Sequence, residues 1–397
     1  MKEILYVSSS LGLGHITRDL AFAKELRRQF SDLDLYWLAG EPARSVIARS
    51  GEKIAAEADL YSNESIKAEA VSKGHELSLL KYAFGSLKEW LHNAEIIKQI
   101  LQRKNFDLII GDETYEIIIA IIFKKLKLDI PFVMMYDFLG MDAMSKNPIE
   151  LLGTYFWNRI WSLDYKIFNK ENNIALFIGE PEDIPSKRFG FLLPNRRDYA
   201  RKYYNFIGYI LPFDTNECID KKMIRKKLGY GDEPLILCSV GGTSIGKELL
   251  ELSGKAYTIV KKQIPNLHMI LICGPRLLAE SLSVPQEIEI RQYVPALYEH
   301  FAACDLAIVL GGGTTTLELT ALKRPFIYFP LDGHLEQEIV IAGRLHRHNA
   351  GIRMSYNSTS EKSLAEAIIA NINTNVNYKD IPIDGAKIGV KLISRFF

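Results

Sequence analysis

Residues 306–338 read LAIVLGGGTTTLELTALKRPFIYFPLDGHLEQE. An apolar run of strand length, Leu306 to Leu310, meets three glycines and three threonines, then a helical stretch that carries Glu318. A second apolar run, Phe326 to Phe329, ends in Pro330-Leu331-Asp332-Gly333-His334-Leu335-Glu336-Gln337-Glu338. Strand, glycine turn, helix and strand in succession is the pattern of a parallel sheet covered by helices. Glycines let a backbone approach a ligand, and a helix N-terminus favours negative charge. Glu318 follows the turn by one helical turn, so its carboxylate can face back toward it. Carboxylates and amides clustered after a strand suit hydroxyl recognition, because both bind O–H groups well.

The same alternation extends in both directions. Leu235 to Val240 reads as a strand, Gly241-Gly242-Thr243-Ser244 as a turn, and Lys247 to Gln263 as a helix stopped by Pro265. Two glycines and two hydroxyls opening a helix suit a phosphate cradled by backbone N–H groups, although no GxxxxGK[ST] pattern is present. Further strands are expected at Leu267–Cys273 and Glu287–Gln292.

In the first half, Ile4 to Ser10 is expected to be a strand, followed by the loop Leu11-Gly12-Leu13-Gly14-His15. The next helix keeps Ile16, Leu20, Ala23 and Phe30 at helical spacing, with Asp19 early and Arg27 and Arg28 late, complementing its dipole. Leu33–Leu38, Phe106–Gly111 and Ile130–Tyr136 read as strands, the last two flanking a helical run from Tyr115 to Leu128. The expected fold class is therefore α/β, with two successive units of parallel sheet that carry helices on both faces. The domains are placed at 1–208 and 209–386, with Phe206–Asn216 as linker. The apolar segment 387–397 is expected to pack back on the first domain.

His15 stands where a strand ends and a crevice opens in such a sheet; a capping or loop histidine is the other reading. Asp112, at the end of DLIIGD, can orient a histidine and stabilise its protonated form, or serve as a loop acid or helix cap. A dinucleotide fingerprint needs a third glycine where Thr17 stands, which argues against a nicotinamide or flavin cofactor.

Composition narrows the class further. The 397 residues hold 49 Lys plus Arg against 48 Asp plus Glu, without the basic excess expected of a nucleic-acid partner. The longest purely apolar run, Ile117 to Phe123, falls short of the ~20 residues of a membrane-spanning helix. The four cysteines form no CxxC pair, and the N-terminus lacks a signal-peptide pattern, so a cytoplasmic protein is expected. Asp32-Leu33-Asp34 is formally a DxD but opens an early strand, so it reads as surface charge and no metal site is assigned. Leu151 to Lys170 interleaves Tyr155, Phe156, Trp157, Trp161, Tyr165 and Phe168 with Arg159, Lys166 and Lys170. Such a helix fits either peripheral contact with a membrane surface or docking in a core.

The ordered series GGT, RQYVPALYEHFAACDLAI, GGGTTTLELTALKRPFIYFP and GHLEQE resembles the donor-binding domain of the UDP-dependent glycosyltransferases. That superfamily includes the peptidoglycan N-acetylglucosaminyltransferase and the plant and animal UDP-glycosyltransferases. GLGH and DLIIGD extend the resemblance more thinly into the first half. It implies the GT-B fold, an α/β architecture of two Rossmann-like doubly wound parallel-sheet domains facing across a cleft, with no cofactor beyond a UDP-sugar co-substrate and inverting transfer to an unidentified acceptor, lipid-linked or saccharide. It further implies that Gly241, Gly242 and Thr243, with Gly312, Gly313, Thr314 and Thr315, hold the diphosphate. The Val294 backbone would read the base, Glu318 the ribose, and Glu336 and Gln337 the sugar. His15 would be the general base and Asp112 its orienting acid, with Gly12 and Gly14 in a phosphate or acceptor loop. The sequence departs from the plant-type signature at Leu310, where that signature has histidine, and at Glu336-Gln337, which replaces aspartate-glutamine. GLGHITR with GHLEQ is closer to a loosely characterised bacterial and archaeal set. A sugar-nucleotide hydrolase or epimerase, and a non-catalytic sugar-nucleotide-binding module, are the competing readings.

Overall fold

The computed structural model describes residues 1–10, 13–62, 79–242 and 245–397, with the backbone alone at 79–82. Contacts divide them into two compact units: the described residues up to Pro212 with Pro382–Phe397, and Phe213–Ile381.

The first unit is built on seven parallel strands: β1 (Lys2–Ser8), β2 (Leu33–Leu38), β3 (Lys53–Ile54), β4 (Leu108–Asp112), β5 (Phe132–Tyr136), β6 (Asn173–Ile178) and β7 (Tyr204–Gly208). Their order is β3-β2-β1-β4-β5-β6-β7. The chain runs outward one way through β2 and β3, returns to β4 beside β1, and runs the other way. The C-terminal ends of β1 and β4 thus flank the point where the winding reverses, and Ser8 pairs with Asp112 there. Crevices at such points are where open α/β sheets bind ligands.

The helix Gly14–Gln29 covers this sheet with Ile16, Phe22, Ala23 and Leu26, all fully buried. The C-terminal helix Gly385–Ile393 joins the same core through Val390 and Ile393. A side-chain carbon at Gly389 would lie 2.6 Å from the Phe22 ring, so glycine there allows the close packing.

The second unit repeats the logic with β8 (Leu235–Ser239), β9 (His268–Ile272), β10 (Glu289–Arg291), β11 (Leu306–Leu310), β12 (Phe326–Phe329) and β13 (Ile352–Arg353). Their order, β10-β9-β8-β11-β12-β13, puts the reversal between β8 and β11, which pair in parallel up to Ser239 and Val309.

Several expectations need correction. β3, β6, β7 and β13 were not legible as strands. The expected linker from Phe206 begins inside β7, a five-residue strand whose sequence, YNFIG, has no clean alternation. Asp34 is not free surface charge: it is buried and paired with Lys53 at 2.6 Å. The aromatic stretch opens as the helix Pro148–Trp161, which buries Trp157 and Trp161 but exposes Ile149, Leu151, Leu152 and Phe156. Among the described residues no helix is long and apolar enough to cross a membrane.

Candidate active site

At the first reversal point β1 ends at Ser8, the described residues resume at Leu13 after Ser10, and His15 is the second residue of the helix Gly14–Gln29. Gly14 opens that helix, whereas Gly12 lies outside the described residues. His15 Nδ1 stands 2.9 Å from Asp112 Oδ2, and the imidazole is 13% exposed while the carboxylate is sealed from solvent. This is the geometry of a base held by an orienting acid.

A buried carboxylate is costly unless charge and hydrogen bonds answer it. Arg18, one turn after His15, does so with a two-pronged grip: Nη2 donates to Asp112 Oδ1 at 2.6 Å and Nε to Oδ2 at 3.2 Å. Its third nitrogen, Nη1, donates to Asp137 just beyond β5. Burial pushes the Asp112 carboxyl upward, but Arg18 and His15 outweigh it and hold it below the usual range. Asp137 is likewise lowered against burial, chiefly by Arg18.

Glu113 adds a group of opposite behaviour. Its backbone takes the left-handed φ of 51°, unusual for a non-glycine residue, and its Oε2 lies 4.0 Å from His15 Nε2. Tyr115 donates to Glu113 Oε1 at 3.1 Å. Burial, then the neighbouring Asp137, raises the Glu113 carboxyl well above its ordinary value. The retained proton has a destination in Asp137, whose buried Oδ1 takes no N–H or hydroxyl donor among the described residues. For His15, burial and Arg18 work against the charged form, Asp112 and Asp137 for it, and the carboxylates win by raising its pKa.

Arg18 and Asp137 were missed in the sequence, whereas Glu113 was noticed only as the second acid of the strand-end pair Asp112-Glu113. The available signal was an arginine on the buried stripe, at the same spacing as Phe22 and Leu26. Asp19, expected early in the helix as a partner of its dipole, lies beyond the first turn and is fully buried, accepting from Ser8 Oγ at 2.5 Å and Tyr6 OH at 3.1 Å.

The second reversal point is finished with glycine. Gly241 ends the β8 turn at φ 82°, and a side-chain carbon at Gly274, after β9, would lie 2.0 Å from the Gly241 carbonyl oxygen. The two turns therefore touch backbone to backbone. Gly242 is buried, and Thr243 lies outside the described residues. Gly312 caps the helix Gly313–Ala321, and a Cβ built on it would meet nothing within 4 Å, leaving the turn open. Gly313, Thr314 and Thr315 form the first, half-buried turn, with their N–H groups unclaimed by the helix. Thr316 bends back to the Gly312 carbonyl at 2.8 Å.

Glu318 lies one turn deeper, 6% exposed, and no cation or donor among the described residues pairs with it. Burial alone pushes its carboxyl up to about 8. Glu336 reaches the same turn, its Oε1 being 3.5 Å from where a Gly313 Cβ would stand. Gln337 faces inward and accepts from the Leu331 N–H at 2.9 Å, so its carbonyl end braces the turn after β12. His334 is buried beside it and pushed down to about 4. Val294 is buried between β10 and the helix Leu297–Ala303, its loop pinned by Gln292 donating to the Gly274 and Leu277 carbonyls at 2.8 and 2.6 Å. Among the described residues no group of three or more His, Cys, Asp or Glu is placed to hold a metal ion.

Residues 236–380 match the glycosyltransferase family 28 C-terminal domain. An uncharacterized glycosyltransferase of Methanosarcina acetivorans is 24% identical over 376 residues, covering 91% of this chain and 87% of the relative. The chain is a glycosyltransferase of the GT-B fold. A glycosyltransferase of kitacinnamycin superposes on the whole GT-B chain with a TM-score of 0.61 at 14% identity, covering 99% of that structure. The UDP-N-acetylglucosamine–N-acetylmuramyl-(pentapeptide) pyrophosphoryl-undecaprenol N-acetylglucosamine transferase of Carboxydothermus hydrogenoformans is 29% identical over 122 residues, 30% of this glycosyltransferase and 32% of that enzyme.

Proposed function

We propose that this glycosyltransferase moves a hexosyl or N-acetylhexosaminyl group from a UDP-sugar to an acceptor hydroxyl, with inversion and without a metal. The observation that carries the donor assignment is Glu318, a carboxyl buried with no partner among the described residues, one turn beyond an open glycine turn. A protein does not keep such a group for stability, because an unanswered buried carboxyl costs folding free energy. Two adjacent ribose hydroxyls supply the donors it lacks.

The N–H groups around Gly242 and Gly312–Thr315 suit a diphosphate, whose negative charge grows as the glycosidic bond breaks. Such preorganised donors can do the work that Mg²⁺ does in other sites. Glu336, at the same turn, suits the sugar hydroxyls. The acceptor hydroxyl gives its proton to His15 Nε2 as its oxygen attacks the anomeric carbon, and Asp112 stabilises the imidazolium through Nδ1–H. The named activity of the Carboxydothermus relative supports UDP as the nucleotide. Its lipid-linked acceptor is one candidate class here, a saccharide another.

The test is mass spectrometry of host lipid and saccharide extracts incubated with the protein and a panel of UDP-sugars. A product heavier by one sugar residue is expected. Free sugar and UDP released at the same rate without extract would instead identify a hydrolase.

A further inference from the structure

Arg18 takes no part in the proton transfer just described, yet it is the side chain most heavily engaged around the base. It reaches Asp112 with two nitrogens and Asp137 with the third, and its Nη2 also comes within 2.8 Å of His15 Nδ1. Asp112 Oδ2 approaches the same nitrogen at 2.9 Å. Nδ1 can serve only one of them. With a proton on Nδ1, the imidazole donates to Asp112 and Nε2 carries the lone pair that a base needs. With Nδ1 bare, Arg18 donates to it, the proton sits on Nε2, and the ring cannot accept from a substrate. The two neighbours favour opposite tautomers from nearly equal distances.

We propose that Arg18 is a positioning residue for His15, holding Asp112 in its two-pronged grip while contesting Nδ1, so that the guanidinium sets which imidazole nitrogen is free. This rests on the reading of His15 as the base. The titratable groups around the imidazole are Arg18 and Asp19 from its own helix, Asp112 and Glu113 at and just after the end of β4, and Asp137 from beyond β5. Arg18 opposes the imidazolium, and Asp112 and Asp137 favour it. Asp19 acts on the guanidinium rather than on the imidazole. Glu113, holding its proton toward Asp137, adds no full charge at Nε2.

A guanidinium that merely neutralised two buried carboxylates would not alter the tautomer. The experiment is therefore a ¹⁵N titration of selectively histidine-labelled full chain without substrate, with His15→Gln assigning the signal. It reads the His15 midpoint and, above it, the tautomer. Wild type should show a mixture of both neutral tautomers. Arg18→Met should leave the Nδ1–H form alone and raise the midpoint by about one pH unit, the usual scale for removing one close charge. Arg18→Lys keeps the charge but loses the fork, so the midpoint should stay while the tautomer moves toward Nδ1–H. Asp137→Asn should lower the midpoint. If Arg18→Met proves too unstable to titrate, the Lys variant carries the tautomer test alone. An unchanged tautomer in the readable variants overturns the proposal, and so does a midpoint that rises with no tautomer change. Because no substrate is present, that failure stays separate from failure of the base assignment, which is read by the turnover of His15→Gln.

Discussion

The crevice between β1 and β4 and the crevice between β8 and β11 occupy the same place in the same topology, yet they are finished in opposite ways. The first is lined with charge that answers charge: Asp112 and Asp137 on either side of Arg18, and His15 on Asp112. The second is lined with glycine backbone and holds a carboxyl, Glu318, that nothing among the described residues answers. A self-satisfied cluster is built to tune one of its own members, whereas an unsatisfied one is built to be completed from outside. In the proposed chemistry the first sets a base and the second waits for a ligand.

The largest expected effect is at the tuned cluster. His15→Ala should lower turnover by at least ~10²-fold, the common scale for losing a general base. Steady-state assay with whichever UDP-sugar the extract screen identifies checks it, and unchanged turnover would remove His15 from the mechanism. Next comes the completed site. Glu318→Ala should weaken UDP by roughly tenfold to a hundredfold, since ribose hydroxyls then lose their acceptor. The same change should shrink the preference for UDP over dTDP, which lacks one of those hydroxyls. Competition binding of the two nucleotides reads both. Equal wild-type affinities would show that Glu318 does not read the diol.

A smaller effect follows from the same carboxyl in the empty protein. Its folded pKa of about 8 lies above the unfolded value of about 4.3, so the folded state prefers the neutral form. The stability this lends is fully present below the unfolded pKa and is lost as pH rises toward 8. Glu318→Gln should therefore melt higher than wild type at pH 8 and nearly level with it at pH 4.5. A unit of this size moves by about 2–4 °C for each kcal/mol, which differential scanning calorimetry resolves. A wild-type advantage at pH 8 would mean that the carboxyl has a partner.

The smallest effect concerns the aromatic helix. Trp157 and Trp161 face the protein, so any membrane contact falls to Ile149, Leu151, Leu152 and Phe156. Flotation with anionic liposomes should weaken in Leu152→Glu if this face meets lipid, and flotation absent from the wild type would remove the contact altogether.

The two crevices also differ in how far the sequence disclosed them. Glycine runs announce themselves locally: a strand that ends in GGG and opens a helix needs no distant partner to be read, and both reversal-point turns of the second unit were legible. Glu318 was legible too, because its relation to the turn is set by helical spacing. The charge cluster is a tertiary object. Arg18 and Asp137 are 119 residues apart in the chain and meet only because β1, β4 and β5 lie side by side. His15 and Asp112 stood out through their place at strand ends, but nothing local tells an arginine that pairs with two buried aspartates from one that faces water. Asp19 shows the same limit: its position suited the helix dipole, and only the packing of Tyr6 and Ser8 beneath it shows that it points inward. The short strands β3 and β13, two residues each, left no periodicity to detect.

The contrast between a tuned cluster and a completed one can be tested by a single calorimetric series: titration of UDP into wild type, His15→Ala and Glu318→Ala at one pH. The account predicts that wild type binds, that His15→Ala binds with the same affinity, and that Glu318→Ala alone loses roughly tenfold or more. No heat of binding in the wild type, or equal losses in the two variants, would contradict it.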